Sequence, residues 1–145
     1  MEILNRQASF NYFVYETYEA GIVLTGTEIK SIRLGKCNIK DSYAIIKNNE
    51  VYLLNTHIST YDKGNIFNHE ETRTRKLLLH KKEILKLNNK VNLEGYTLIP
   101  LKIYFVKGKA KVLLGVCKGK KTYDKKETLK VRDLDREMMK NTKFR

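Results

Sequence analysis

Tyr96-Thr-Leu-Ile-Pro-Leu-Lys-Ile-Tyr-Phe-Val106, then Lys107-Gly-Lys109, then Lys111-Val-Leu-Leu-Gly-Val-Cys117, read together as two strands about a short turn. In the first strand Leu101, Ile103 and Phe105 alternate with Lys102, Tyr104 and Val106, the period of two that separates the faces of a sheet. Pro100 has no N–H to give to a ladder, so it predicts an edge or a bulge. The apolar run then breaks into Lys118-Gly-Lys-Lys-Thr-Tyr-Asp-Lys-Lys126, five lysines in nine residues, which suits phosphate contact better than a core.

Upstream, the pattern is again of short strands. Phe10-Asn-Tyr-Phe-Val-Tyr-Glu16 is aromatic and β-branched and predicts a strand. Thr25-Gly-Thr-Glu28 has the spacing of a capping box and predicts a short helix carrying Ile29 and Ile32, ended by Gly35. Asp41–Lys47 and Glu50–Asn55 flank Asn48-Asn49 and predict a hairpin. Residues 57–72 lack periodicity and predict a long surface loop. Lys81–Leu93 is the strongest helix, with Ile84, Leu85, Leu87 and Val91 on one side and Lys82, Lys86 and Lys90 on another. Many short strands, few helices and successive hairpins predict a mainly β fold, a small antiparallel barrel with flanking short helices. The barrel is expected over residues 1–117 and a basic tail over 118–145. In the tail, Val131, Leu134 and Met138 follow helical spacing, but three apolar side chains cannot offset about 1–2 kcal/mol of backbone entropy per residue. The tail is therefore expected to be disordered, or helical only on a partner.

Lys plus Arg total 29 against 16 Asp plus Glu, a net charge of +13. Residues 118–145 hold 11 basic and 5 acidic residues, +6, leaving +7 on residues 1–117. Both parts are basic, so the expected partner is a polyanion, RNA or DNA before an anionic membrane. No apolar run reaches membrane-spanning length, and the start, Met1-Glu-Ile-Leu-Asn-Arg6, lacks a signal-peptide layout, so a cytoplasmic address is expected. Cys37 and Cys117 have no CxxC spacing and are expected to be reduced structural thiols. His57, His69 and His80 are scattered without metal spacing and are expected at the surface. Gly119-Lys-Lys121 lacks the upstream glycine of a phosphate-binding loop. An enzyme, such as a nuclease using Glu28, Asp41 and a metal, therefore ranks below a non-enzymatic RNA binder, with no cofactor expected. The parts for RNA are present: Arg73, Arg75 and Lys76 precede Leu77-Leu-Leu79, and tyrosines such as Tyr12, Tyr15, Tyr18 and Tyr104 can stack on unpaired bases.

In Asn5-Arg6, Tyr18–Gly21, Gly26–Arg33, Asp41–Tyr43, Arg73–Leu79, Glu94–Thr97 and Lys111–Lys126 the chain resembles the SsrA-binding protein (small protein B) family, block by block and in order. The resemblance implies an oligonucleotide-binding-type barrel. It also implies a function: binding the tRNA-like domain of transfer-messenger RNA and delivering it to stalled bacterial ribosomes, without chemistry. The family's RNA contacts fall on Tyr12, Glu19, Leu78 and Lys111, with Asn5 nearby. Its tail motifs, which engage the small-subunit decoding centre and the empty message channel, fall on Gly119, Lys120, Lys121, Tyr123, Asp124, Lys125 and Lys126, and on Met138-Met139. Lys126 stands where many relatives carry arginine, which removes a bidentate phosphate contact. A monomer is expected. The alternative is a general ribosome-associated or single-strand RNA-binding barrel, which gives Glu19 no role.

Overall fold

The structure is a computed structural model; it describes residues 2–61, 68–121 and 125. In chain order the elements are β1 (Glu2–Leu4), α1 (Ala8–Asn11), β2 (Tyr12–Ile22), α2 (Gly26–Arg33), β3 (Cys37–Asn38), β4 (Tyr43–Lys47), β5 (Glu50–Leu54), β6 (His57–Ile58), β7 (Arg75–Leu78), α3 (Lys81–Glu94), β8 (Thr97–Val106) and β9 (Lys109–Gly119). The main sheet runs β1-β8-β4-β5-β7-β2-β9, and β8 also pairs with β9. That last pairing closes β8-β4-β5-β7-β2-β9 into a ring in which every ladder is antiparallel. Closure removes the open edges that would otherwise invite pairing with other chains. The fold is thus the mainly β barrel with short helices that the sequence predicts.

Alternation along the strands fills the ring. Ala20 and Ile22, Val51 and Leu53, Leu77, Leu98, Ile103, and Val112, Leu114 and Val116 form one buried cluster. Each large aliphatic side chain moved from water into such a core is worth about 1.5–3 kcal/mol. α3 adds Leu87 to the cluster, with Ile84 and Val91 packed against it.

Local punctuation sets the turns. Asn48 and Asn49 both take positive φ, 53° and 60°, the conformation of a two-residue hairpin turn that asparagine tolerates well. The Thr25–Glu28 capping box forms as expected: Thr25 Oγ1 accepts the Glu28 N–H, and the Glu28 carboxylate accepts the Thr25 N–H. Pro100 lies at a register shift between β8 and β9, and its carbonyl accepts a hydrogen bond from Asn5.

Four expectations are corrected. Phe10-Asn11 is helical, because Ala8–Asn11 turns to bury Ala8 against Ile99 and Cys117 before β2 begins at Tyr12. Residues 57–61 and 68–72 are not all surface: His57–Ile58 pairs with Cys37–Asn38, and Ile58 is fully buried. His69, expected at the surface, is buried between Thr27 Oγ1 and the Ile58 carbonyl, at 2.9 and 2.8 Å. Strand β9 also runs two residues past position 117, pairing Lys118 and Gly119 with Phe13 and Tyr12.

Candidate nucleic-acid interface

The registers of four strands lay one row of residues across the outside of the barrel. Leu78 of β7 stands opposite Gly21 of β2, Gly21 opposite Lys111 of β9, and Lys111 opposite Tyr104 of β8. Glu19, two residues before Gly21, shares its face. These side chains point outward because their neighbours point in: Ala20, Leu77, Val112 and Ile103 are all buried. Leu78 is instead about half exposed, an aliphatic side chain left in solvent. Gly21 keeps the row open. A Cβ there would sit 3.3 Å from the Leu78 Cβ, closer than comfortable packing.

Leu78, Gly21 and Lys111 of this row, with Glu19, line a groove of about 620 Å³ whose walls also include Ile29, His80, Glu83 and Lys109. Its electrostatics are mixed. Tyr104 donates its hydroxyl to Glu19 Oε2 at 2.5 Å. Burial first, then the neighbouring Glu19 carboxylate, pushes the Tyr104 hydroxyl up to about 12, so it remains a donor throughout the neutral range. Among the described residues no lysine or arginine pairs with Glu19, so its remaining lone pairs face the groove unneutralised.

Of the residues marked by the sequence, the groove gathers Glu19, Leu78 and Lys111. Tyr12 and Asn5 lie in a separate cleft of about 250 Å³ with Lys40, Asp41 and Tyr43. Asn5 is buried and holds β1 to its neighbours: Nδ2 donates to the carbonyls of Ile39 and Pro100, and its N–H to that of Leu101.

The Arg73-Thr-Arg-Lys76 cluster dissolves into three separate roles. Arg75 is fully buried, which corrects its expected place on an RNA-facing surface. Its Nε donates to Glu28 Oε2 at 2.5 Å, Nη1 to the Thr56 and Arg73 carbonyls, and Nη2 to those of Glu70 and Glu71. All five guanidinium donors are thereby satisfied inside the protein. Arg73 donates to Glu28 Oε1 at 2.7 Å and to the Val23 carbonyl, leaving it only partly exposed. Burial alone would raise the Glu28 carboxyl, but hydrogen bonds from Arg73, the Thr25 amide and Arg75 outweigh it and hold the group below its ordinary value. Lys76 faces outward and pairs with Glu50 at 2.8 Å. The alternation of Arg75 and Leu77 against Lys76 and Leu78 was the available signal for this split.

At the C-terminal side, Gly119 ends β9, the Lys120 N–H donates to the Asn11 carbonyl, and Lys120 Nζ donates to that of Ser9. The Lys121 carbonyl accepts the Lys125 N–H. Tyr123, Asp124, Lys126, Met138 and Met139 lie outside the described residues.

Reactive chemistry has little to work with. Burial pushes the Cys37 thiol up to about 12 and the Cys117 thiol to about 11, so neither supplies thiolate at neutral pH. Glu28, the acid of the nuclease alternative, is sequestered by two arginines. Among the described residues no cluster of three His, Cys, Asp or Glu could hold a metal, and no helix is long and apolar enough to cross a membrane.

Comparison with known proteins gives the lineage. The family model described as SmpB protein matches residues 2–144. The SsrA-binding protein of Shouchella clausii is 58% identical over 141 residues, covering 97% of this chain and 90% of the relative. That of Trichodesmium erythraeum is 58% identical over 140 residues, covering 96% and 90%. A chain from a solved structure described as "tmRNA-SmpB: a journey to the center of the bacterial ribosome" superposes with a TM-score of 0.70 at 51% identity, covering 83% of this chain and 85% of that one. With identity of this order sustained across nearly its whole length, the chain belongs to the SmpB family, the SsrA-binding proteins.

Proposed function

We propose that this chain is a non-enzymatic RNA adaptor of bacterial ribosome rescue. Its groove receives the tRNA-like domain of transfer-messenger RNA, and the lysine-rich segment from residue 118 onward engages the decoding centre and empty message channel of a stalled ribosome. The observation that carries the first half is the row Leu78–Gly21–Lys111–Tyr104 with Glu19 beside it. In a chain of net charge +13, an acid with no cation partner among the described residues, beside an exposed leucine and a lysine, is poorly explained by generic attraction to phosphate. It fits a shaped RNA surface, where Glu19 accepts from base imino or amino groups, Leu78 packs on a base or sugar, and Lys111 meets phosphate. Relatives named for binding SsrA, and a neighbour seen with transfer-messenger RNA at the ribosome, support the choice of RNA.

The test is binding of the isolated tRNA-like domain, followed by fluorescence anisotropy against a competing unstructured RNA of equal length. Glu19→Ala and Lys111→Ala should each weaken the folded ligand by about 1–3 kcal/mol, as expected for charged hydrogen bonds, with an unchanged circular dichroism spectrum. Only Lys111→Ala should lower the salt slope, by roughly one unit of phosphate contact. Equal affinity for both RNAs, or indifference to Glu19→Ala, would refute the proposal and favour a general single-strand binder.

A further inference from the structure

A second surface, outside the groove, carries the features of a base-stacking site. Tyr15 is the residue left out of register where β2 bulges against β9, between Val14 opposite Cys117 and Glu16 opposite Val116. A bulge of this kind re-aims a side chain, and here Tyr15 is 56% exposed. Its ring meets Tyr96 edge-to-face, with centroids 5.3 Å apart and planes at 70°. Two lysines converge on that same Tyr96 ring: Lys118 Nζ at 4.6 Å and Lys90 Nζ at 5.4 Å from its centroid. Lys90 also lies 3.7 Å from Glu94, whereas Lys118 is exposed. Beside them Phe13, paired in register with Lys118, is 41% exposed.

With more than half of its surface exposed, Tyr15 keeps ring area available to a planar partner despite the contact with Tyr96. An exposed aromatic flanked by ammonium groups has a defined complement, a flat π-system joined to an anion, and a nucleotide in a single strand is both at once. Folded tRNA-like elements have few unpaired, unstacked bases, whereas a platform of this size suits one or two of them. We infer that Tyr15, with Tyr96, Lys118 and Phe13, forms a second RNA site that stacks an unpaired base and neutralises its phosphates, separate from the Glu19–Leu78–Lys111 groove. This rests on RNA being the partner, as proposed above, but not on which RNA the groove takes.

The probe is an unstructured RNA hexamer with 2-aminopurine at its centre, titrated into the full chain. Stacking should quench its fluorescence. Tyr15→Leu should abolish the quench and weaken hexamer binding roughly 5- to 150-fold, the range of a lost base–aromatic stack, while Tyr15→Phe should retain both. Lys118→Gln should lower the salt slope by about one phosphate contact. Tyr15→Leu should also keep its affinity for the isolated tRNA-like domain, which reports on the groove alone. The inference is overturned if the hexamer is not quenched, or if Tyr15→Leu binds it as the unsubstituted chain does. It falls equally if Tyr15→Leu weakens the tRNA-like domain as much as the hexamer, which would merge the two surfaces. Binding dependent on Tyr15 to phosphatidylglycerol vesicles but not to the hexamer would overturn it too.

Discussion

Replacing Glu28 with glutamine removes one charge and almost no volume, and it should nonetheless be among the most damaging substitutions in the protein. Glu28 is fully buried and accepts three hydrogen bonds, from the Thr25 amide at 2.8 Å, Arg73 at 2.7 Å and Arg75 at 2.5 Å. Glutamine offers one acceptor oxygen, and its NH₂ faces a guanidinium donor. The substitution therefore leaves the buried Arg75 charge without a counter-ion. Removing one partner of a buried ion pair costs about 3–5 kcal/mol, because the remaining charge stays desolvated. At about 2–4 °C per kcal/mol for a chain near this size, the thermal midpoint should drop by roughly 6–20 °C. Urea unfolding followed by far-ultraviolet circular dichroism measures the loss directly. Glu28→Gln combined with Arg75→Gln should lose less than the two single losses together, since both act on one cluster. Lys76→Gln, in an exposed pair one residue along, should leave the midpoint nearly unchanged. A Glu28→Gln loss below about 1 kcal/mol would refute the reasoning and return Arg75 to the list of residues free to meet RNA.

Three further outcomes follow from the same geometry. The Glu28 carboxyl sits below its ordinary 4.5 in the folded state, so its contribution is complete above that value and is lost as pH falls through the lower, folded pKa; urea midpoints measured downward from pH 5.5 should decline more steeply in the natural sequence than in Glu28→Gln. Gly21→Ala would place a Cβ 3.3 Å from that of Leu78, so it should reduce affinity for the tRNA-like domain while changing the unfolding midpoint little, as anisotropy and calorimetry would show. Gly115→Ala would bring a Cβ to 3.0 Å from Cys117 Sγ and 3.2 Å from both Leu101 methyl carbons, an overpacked site that should cost about 1–3 kcal/mol in urea unfolding.

What the sequence disclosed was mostly local. The β8–β9 hairpin, the asparagine turn at 48–49, the Thr25–Glu28 cap and the α3 helix are encoded within a few residues, and the structure carries them with boundaries within two residues of those read. What stayed hidden is decided across the chain. Phe10-Asn11 has strand-like side chains but joins α1, because burying Ala8 against Ile99 and Cys117 outweighs weak local preference. Strands β3 and β6 have two residues each, too short to show any period. Arg75 resembled a surface cation because its counter-ion lies 47 positions away, on a helix whose cap was already sufficient reason for Glu28 to be there. For the site, the family resemblance marked Glu19, Leu78 and Lys111, but only the register showed that Leu78 and Lys111 share a row with Gly21 and Tyr104, with Glu19 beside it.

Among the described residues, several acids of the surface are paired with basic side chains; Glu19 is not, and Glu16 likewise accepts from a tyrosine hydroxyl, that of Tyr18, so what sets Glu19 apart is its place beside Leu78 and Lys111. Glu2 lies against Lys102, Glu50 against Lys76, Glu71 against His57, Glu94 against Lys90, and Glu28 against two arginines. Each of these carboxylates meets a basic side chain, a cation in every case but His57, which is one only when protonated. Glu19 meets a neutral hydroxyl instead, one that stays protonated to about pH 12 and so fixes the carboxylate's orientation without cancelling its charge. A negative group with a fixed direction, in a groove where Lys109 and Lys111 stand with a second acid, Glu83, discriminates against phosphate backbone approaching at random. It rewards only a ligand that arrives with a donor at that point and phosphate near Lys111. Specificity of this kind is a difference between affinities, and the repulsive group contributes as much to it as the attractive ones. On the function proposed above, the positive surface draws RNA in, and Glu19 helps to decide which RNA can settle.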